Sequence, residues 1–404
     1  MSIFKKEEKN RGYLTGKEIK AIAKANAKEI KRLEAYKNRK AEESEFLTKM
    51  KDPENILEIE DLHTYFYTEQ GVVKAVNGVS YDVPKNAVVG VVGESGCGKS
   101  VTSMSVMRLI QGPTGQIAEG SIRFKSLDYK RNEKGEPIPV AGEEGKFETE
   151  EKIYDIAKMP IHEIHRVRGK QIAMIFQEPM TSLNPVFTIG EQLDEVTLLH
   201  TPGATAEMAK AKSEEMLRLV GIIPENVYGH FPHELSGGMR QRVMIAMALA
   251  AEPRLIIADE PTTALDVTIQ AQILDLLQDI KNKIDGSILL ITHDLGVIAE
   301  MADFVVVMYA GKVIEKGTVY EIFQDPRHPY TIGLQKSKPT MTLDDSIELY
   351  NIPGNVPNPV NMPNHCYFKE RCSRCTAKCS GDYPGMVQVS PTHFVACHLY
   401  DEEG

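Results

Sequence analysis

The run Gly93-Glu94-Ser95-Gly96-Cys97-Gly98-Lys99-Ser100 fits the pattern G-x-x-x-x-G-K-[ST], and it leaves the surrounding chain little choice of fold. Glycines let successive backbone N–H groups turn toward one point, and a following helix adds its positive end, so such a loop cradles phosphates between a strand and a helix. Both flanks are present. Ala87-Val88-Val89-Gly90-Val91-Val92 reads as a buried strand, and Ser103-Met104-Ser105-Val106-Met107 as the start of a helix. An α/β core follows, with Lys99 reaching toward β- and γ-phosphates and the Ser100 hydroxyl toward magnesium.

A second apolar run, Leu255-Ile256-Ile257-Ala258, ends in Asp259-Glu260, at a strand end where side chains project into the ligand crevice of an open α/β sheet. There Asp259 would hold the magnesium ion, directly or through water, and Glu260 would act as general base on the attacking water. Between the two runs stands Leu235-Ser236-Gly237-Gly238-Met239-Arg240-Gln241-Arg242. Ser236 is a good N-cap for a helix running through Val243 to Ala250, whose positive end points outward.

In this order the three motifs resemble the nucleotide-binding subunit of an ABC transporter. The resemblance covers roughly residues 55–400 and implies ATP and Mg2+ as ligands. It implies ATP contacts from Gly93, Glu94, Ser95, Gly96, Cys97, Gly98, Lys99, Ser100 and Val101. It makes Pro261-Thr262-Thr263-Ala264-Leu265-Asp266 the D-loop, Gln177 in Ile175-Phe176-Gln177-Glu178-Pro179 the Q-loop glutamine that contacts magnesium and water, and His293 the switch histidine at the γ-phosphate. Phe66 is the aromatic that stacks on adenine, with Tyr65 or Tyr67 serving if the register is off by one. Ser236, Gly237 and Gly238 complete the γ-phosphate site of the opposite subunit, so that two ATP molecules are sandwiched between two subunits. Position 239 is Met where the commonest family version has Gln.

The fold class implied is α/β: a P-loop ABC ATPase domain with an antiparallel β subdomain, a helical subdomain and a small Cys-rich C-terminal extension. The expected boundaries are a basic helical extension at 1–54, the nucleotide-binding domain at 55–320 with its helical subdomain at about 178–250, and the C-terminal extension at 321–404. A stretch over 128–150, rich in Gly and Glu, reads as an inserted hairpin or loop.

Composition bounds the partners. The 404 residues give room for one large α/β domain plus appendages. No apolar stretch approaches the roughly 18 residues needed to cross a bilayer, and the N-terminus lacks the apolar core of a secretory signal. The expectation is a peripheral protein on the cytoplasmic face of the cell membrane, served by separate membrane-spanning subunits. With one set of nucleotide motifs, the second ATPase must come from another chain. Net charge is −10, but residues 1–40 hold 13 Lys or Arg against five Glu, a local +8 that leaves −18 elsewhere. An acidic body argues against nucleic acid as main partner. In the basic segment, Thr15-Gly16-Lys17-Glu18 forms a possible capping box before Ile19, Ile22, Ala23, Ala27, Ile30 and Leu33 at helical spacing, interrupted by Asn26. That helix would lie on anionic lipid heads, pack on a partner or stay solvated.

Five of six cysteines, Cys366, Cys372, Cys375, Cys379 and Cys397, fall in the last 40 residues. Clustered thiols in a cytoplasmic ATPase suggest metal, and zinc with four thiolates fits. The region also resembles the C-terminal extension of oligopeptide and dipeptide importer ATPases, through Arg327-His328-Pro329-Tyr330-Thr331, Ile352-Pro353-Gly354 and Ala396-Cys397-His398. Some members of that branch hold a four-iron four-sulfur cluster, whose ligands map onto Cys366, Cys372, Cys379 and Cys397, with Cys375 extra. The implied function is ATP-driven import of oligopeptides or dipeptides. The partners are a homologous second ABC ATPase in a heterodimer, two transmembrane permease subunits and an extracellular peptide-binding protein. Import of nickel or another small solute by the same branch stays open. The rival from another class, a non-transport ABC ATPase clamping ribosomes or DNA, would bring two cassettes in one chain or a long coiled-coil insertion, and neither is visible.

Overall fold

The chain lays down helix α1 (Gly16–Lys37), strands β1 (Asn55–Thr68), β2 (Gly71–Pro84) and β3 (Val88–Val92), then α2 (Lys99–Val106), β4 (Gly115–Tyr129), β5 (Thr149–Asp155) and β6 (Ile172–Ile175). Helices α3 (Ile189–His200), α4 (Ala206–Leu219) and α5 (Gly237–Leu249) follow, within the span expected for a helical subdomain. Next come β7 (Leu255–Asp259), α6 (Val267–Ile284), β8 (Ser287–Ile291), α7 (Leu295–Met301), the hairpin β9 (Phe304–Tyr309) and β10 (Lys312–Thr318), α8 (Val319–Gln324), α9 (Pro329–Lys336), β11 (Val387–Gln388) and β12 (Phe394–Val395). This computed structural model describes residues 14–140, 147–178, 182–263, 266–284, 286–337 and 350–401. Ala264 and Leu265 of the expected D-loop, Pro179, residues 1–13 of the basic extension and 141–146 of the insertion lie outside the described residues.

Among the described residues, β2-β1-β4-β5 form an antiparallel sheet, and β11-β12-β10-β9-β3-β8-β7-β6 form a larger mixed one. In the mixed sheet β9, β3, β8, β7 and β6 run parallel. Their unbroken apolar runs follow from burial on both faces. Val88 and Val92 of β3, Ile256 and Ala258 of β7, and Ile288 and Leu290 of β8 join one core together with Leu193, Leu217 and Val243 of the helices. The alternate residues Val89, Val91, Leu255, Ile257 and Leu289 join a second core with Leu57, Val79 and Phe124 of the antiparallel sheet. Each fully buried Val, Leu or Ile contributes about 1.5–3 kcal/mol, so the layers hold the central strands rigidly.

The insertion extends the β4–β5 ladder outward. Tyr129 pairs with Thr149, Arg131 bridges Pro137, and Pro139 bridges Phe147. Asn132 Oδ1 closes the tip by accepting the Lys134 and Glu136 N–H groups at 2.9 and 3.0 Å. Helix α1 carries the capping box, with the Thr15 hydroxyl and the Glu18 carboxylate exchanging bonds across the first turn. It packs on the chain's own antiparallel sheet. Leu33 is buried, Asn26 Nδ2 donates to the Thr68 carbonyl at 2.8 Å, and Gln116 Nε2 donates to Glu34 Oε1 at 2.5 Å. The residue that interrupts the apolar stripe is thus a docking residue, while Ala23 and Ala27 are exposed.

One anchor of the C-terminal segment is a buried carboxylate. Glu315 of β10 accepts the Arg327 and His328 N–H groups at 2.6 and 2.9 Å and lies 2.8 Å from His393 Nε2. His328 is wholly buried, and its Nδ1 accepts the Tyr330 N–H at 3.0 Å as N-cap of α9. Burial holds its imidazole down to about 4, against the pull of Glu315. The unfolded chain takes up that proton near 6.5 and the folded chain only near 4, so stability falls as pH drops through this window, by up to about 3 kcal/mol. His328→Asn keeps a capping acceptor and removes the proton. In denaturant unfolding, the free-energy difference between wild type and variant should shrink by that amount from pH 7 to pH 4; a difference constant with pH would refute the buried neutral imidazole.

Candidate functional site

Four parallel strands deliver the candidate residues at the same end of the sheet. β3 feeds the glycine loop, β6 is followed by Gln177, β7 ends in Asp259 and leads into Glu260, and β8 is followed by Thr292 and His293. The loop needs glycine for two separate reasons. Gly98 has φ 100°, and a Cβ there would stand 2.3 Å from the Ala75 carbonyl oxygen. At Gly93 a Cβ would stand 2.2 Å from the Met308 carbonyl oxygen. Lys99 opens α2, buried, and its Nζ donates to the Gly93 and Glu94 carbonyls at 2.7 and 3.2 Å. Cys97 is buried beneath the loop, and burial pushes its thiol up, which leaves it neutral and inert.

The Ser100 hydroxyl donates to Asp259 Oδ1 at 3.0 Å. Burial pushes the Asp259 carboxyl up to about 6, the Ser100 hydrogen bond opposes this, and Glu260 adds to it. Two hard oxygen donors on a buried carboxylate and a hydroxyl suit magnesium, whose charge would relieve the desolvation of Asp259. Glu260 is held from three directions. Gln177 Nε2 and Thr263 Oγ1 each donate to Oε2 at 2.9 Å, and His293 Nδ1 lies 3.3 Å from Oε1. Its backbone N–H donates to the Ile291 carbonyl at 2.8 Å, and its φ is 49°, in the left-handed region. A carboxylate so oriented beside a phosphate cradle is able to take a proton from an attacking water.

Phe66, half-buried on β1, pairs with Val73 and Gly115. The Tyr65 hydroxyl is occupied, donating to Asn77 Oδ1 at 2.9 Å and lying 2.8 Å from His63 Nδ1, and Tyr67 is buried beside Glu29 and Arg32 of α1. Phe66 has no hydroxyl to tie down, and its ring edge lies against Gly115. Ser236 and Gly237 are exposed at the start of α5, where the Ser236 hydroxyl accepts the Met239 N–H at 3.3 Å. Gln241 Nε2 of the same helix donates to the Pro261 carbonyl at 2.6 Å, tying α5 to the segment after Glu260.

All six cysteines are free. In the C-terminal corner, burial first and then their neighbours Cys379, Cys397 and Cys372 push the Cys366 thiol up to about 11. Cys397 is pushed to about 11 by burial, with Cys372 and Cys379 adding to it. The Thr376 N–H donates to Cys379 Sγ at 3.5 Å, and Cys375 is exposed at the rim. Among the described residues no group of three or more His, Cys, Asp or Glu is arranged to hold a metal ion. The iron–sulfur cluster expected on Cys366, Cys372, Cys379 and Cys397, and the zinc alternative, gain no support from this arrangement. Half-buried Cys366 and Cys372 and buried Cys379 and Cys397 gather here without closing into a ligand shell.

The site and sheet define a P-loop ATPase. A family model described as ABC transporter matches residues 76–263, and one described as Oligopeptide/dipeptide transporter, C-terminal region, matches residues 314–379. The oligopeptide transport ATP-binding protein OppD of Bacillus subtilis (strain 168) is 49% identical over 345 residues, 85% of this chain and 88% of its own length. AppD, the oligopeptide transport ATP-binding protein of the same strain, is 45% identical over 351 residues, 86% of this chain and 98% of its own. The dipeptide transport ATP-binding protein DppD is 45% identical over 350 residues, 86% and 96%. Among solved structures, the dimeric bacterial ABC transporter cassette MJ0796 aligns with a TM-score of 0.52 at 23% identity over 65% of this chain and 98% of that one, a likeness of fold. The chain belongs to the ABC transporter family of oligopeptide and dipeptide transport ATP-binding proteins.

Sequence reasoning missed Thr263 as a partner of Glu260; its place three residues on was the available signal. It also missed Tyr330 and Arg371, which touch the phosphate loop from far along the chain. Thr263→Val deletes the hydroxyl alone and loosens Glu260, so steady-state hydrolysis should fall about 3–10-fold while the KM for ATP holds. Unchanged turnover would mean that Gln177 and His293 suffice.

Proposed function

We propose that this chain powers the uptake of oligopeptides or dipeptides through a membrane permease by hydrolysing ATP. The observation that carries the reading is the presence on one chain of the peptide-transporter C-terminal region at 314–379 and a phosphate loop beside an oriented Glu260. Lys99 and the loop N–H groups of Gly93 to Val101 bind the phosphates, Phe66 stacks on the adenine, and Ser100, Asp259 and Gln177 hold magnesium. Glu260 takes the proton from the attacking water, and His293 contacts the γ-phosphate. Ser236, Gly237 and Gly238 serve the ATP of a second, homologous ABC ATPase, which the exposure of Ser236 and Gly237 at a helix start favours.

Two permease subunits and an extracellular peptide-binding protein complete the assembly, at the cytoplasmic face of the membrane. No described helix is long and apolar enough to cross a membrane. Val186 and Phe187, 70% and 50% exposed between Gln177 and α3, offer an apolar patch for a permease. For the thiol corner, the reading carried over from the family is a four-iron four-sulfur cluster on Cys366, Cys372, Cys379 and Cys397; four thiol donors suit it in kind. Anaerobic purification should then give about four iron and four acid-labile sulfide per chain; zinc instead, or no metal, overturns that assignment.

Glu260→Gln should retain ATP and cut turnover by about 10²–10⁴-fold. Solubilised with ATP and magnesium, the variant should co-purify with two multi-span subunits, a homologous ATPase and a peptide-binding protein. Appreciable steady-state hydrolysis would remove Glu260 as the base, and ribosomal or DNA-bound partners would remove transport.

A further inference from the structure

The C-terminal segment grips the phosphate loop from behind. Glu94, the loop's second residue, has its carboxylate in the fork of Arg371, Nη1 to Oε2 at 2.7 Å and Nη2 to Oε1 at 3.0 Å. Its backbone N–H donates to the Tyr330 hydroxyl at 2.8 Å. Neither partner is free to drift. The Arg371 side chain is 5% exposed, and its other N–H groups donate to the Pro353 carbonyl at 2.9 Å, the Ile352 carbonyl at 3.3 Å and the Tyr309 hydroxyl at 3.3 Å. Tyr330 is buried, with its ring centroid 4.7 Å from that of Tyr309 and 5.5 Å from that of Phe368. A bidentate guanidinium–carboxylate pair adds geometric specificity as well as attraction.

We infer that Arg371 and Tyr330 are positioning residues for ATP: they hold the first turn of the phosphate loop in its anion-binding shape, so that the C-terminal extension sets the affinity for nucleotide. The inference rests on the loop being the ATP site. A loop whose N–H groups must converge loses conformational freedom when phosphate binds, and a clamp that orders it beforehand removes that cost. Lys99 restrains the same turn from within, through the Gly93 and Glu94 carbonyls, but must leave them to reach a phosphate. The outer clamp stays in place when it does. Glu260, Gln177 and His293 hang on other strand ends, so loss of the clamp weakens binding. Arg371 closes the turn before Cys372, whose N–H donates to the Lys369 carbonyl at 3.3 Å, so the clamp is one residue from the thiol corner.

Titration of the purified full chain with a fluorescent ATP analogue and magnesium tests this, alongside thermal melting. Arg371→Gln, Glu94→Gln and Tyr330→Phe should each raise the Kd about tenfold, Tyr330→Phe at a native-like melting temperature. The Arg371→Gln/Glu94→Gln double variant should bind no worse than either single, because both remove the same pair. Arg371→Lys, which keeps the charge, should recover part of the affinity. Tyr330→Phe keeps the ring in its aromatic packing and decides the matter if Arg371→Gln unfolds. A Kd within twofold of native in Tyr330→Phe, or losses that add in the double variant, would overturn the clamp. Failure of the native chain to bind the analogue would overturn the ATP site itself, a different result.

Discussion

Because β3 is hydrogen-bonded to β9 on one side and β8 on the other and buried on both faces, the glycine loop that follows it emerges at one end of the sheet and nowhere else. Everything chemical is arranged around that exit. The parallel run of β8, β7 and β6 beside it brings three further strand ends to the same edge, with Thr292 following β8, Glu260 following β7 and Gln177 two residues past β6. The two apolar cores behind those strands make the edge stiff, so Ser100 and Asp259 meet although 159 residues separate them.

Local chemistry was legible in the sequence, and distant pairing was not. The phosphate loop, the Asp259-Glu260 pair, the Ser236 cap and the α1 capping box each declare themselves within a few residues, since glycine freedom, strand runs and cap hydrogen bonds are short-range effects. Periodicity located α1, but the partner of its docking face lies in backbone geometry: the Thr68 carbonyl at the end of β1 needs a donor, and Asn26 supplies it. A pattern search marks that Asn as a flaw in an apolar stripe. Arg371 and Glu94 stand 277 positions apart, and nothing in either neighbourhood distinguishes a clamping arginine from a solvated one.

The thiol corner shows how sequence spacing and chemistry separate. Five cysteines within a short span invite a metal by arithmetic. Burial, however, favours the neutral thiol, and neighbouring thiols strengthen that preference at Cys366 and Cys397, so these two thiols keep their protons. A cation arriving there would have to displace those protons, which makes any occupancy of the corner steeply dependent on pH.

Glu260 occupies left-handed backbone at φ 49°, a region that a side chain of its kind enters at a cost of about 1–3 kcal/mol. Shaped for folding alone, the position would be glycine or asparagine, which reach that conformation more easily. A glutamate there is kept in place by the Ile291 carbonyl behind it and by Gln177 and Thr263 in front. The molecule therefore carries a standing tension where β7 meets β8. Glycine at this one position would release that tension and remove the carboxylate in the same step, so here a sturdier backbone and a proton acceptor exclude one another.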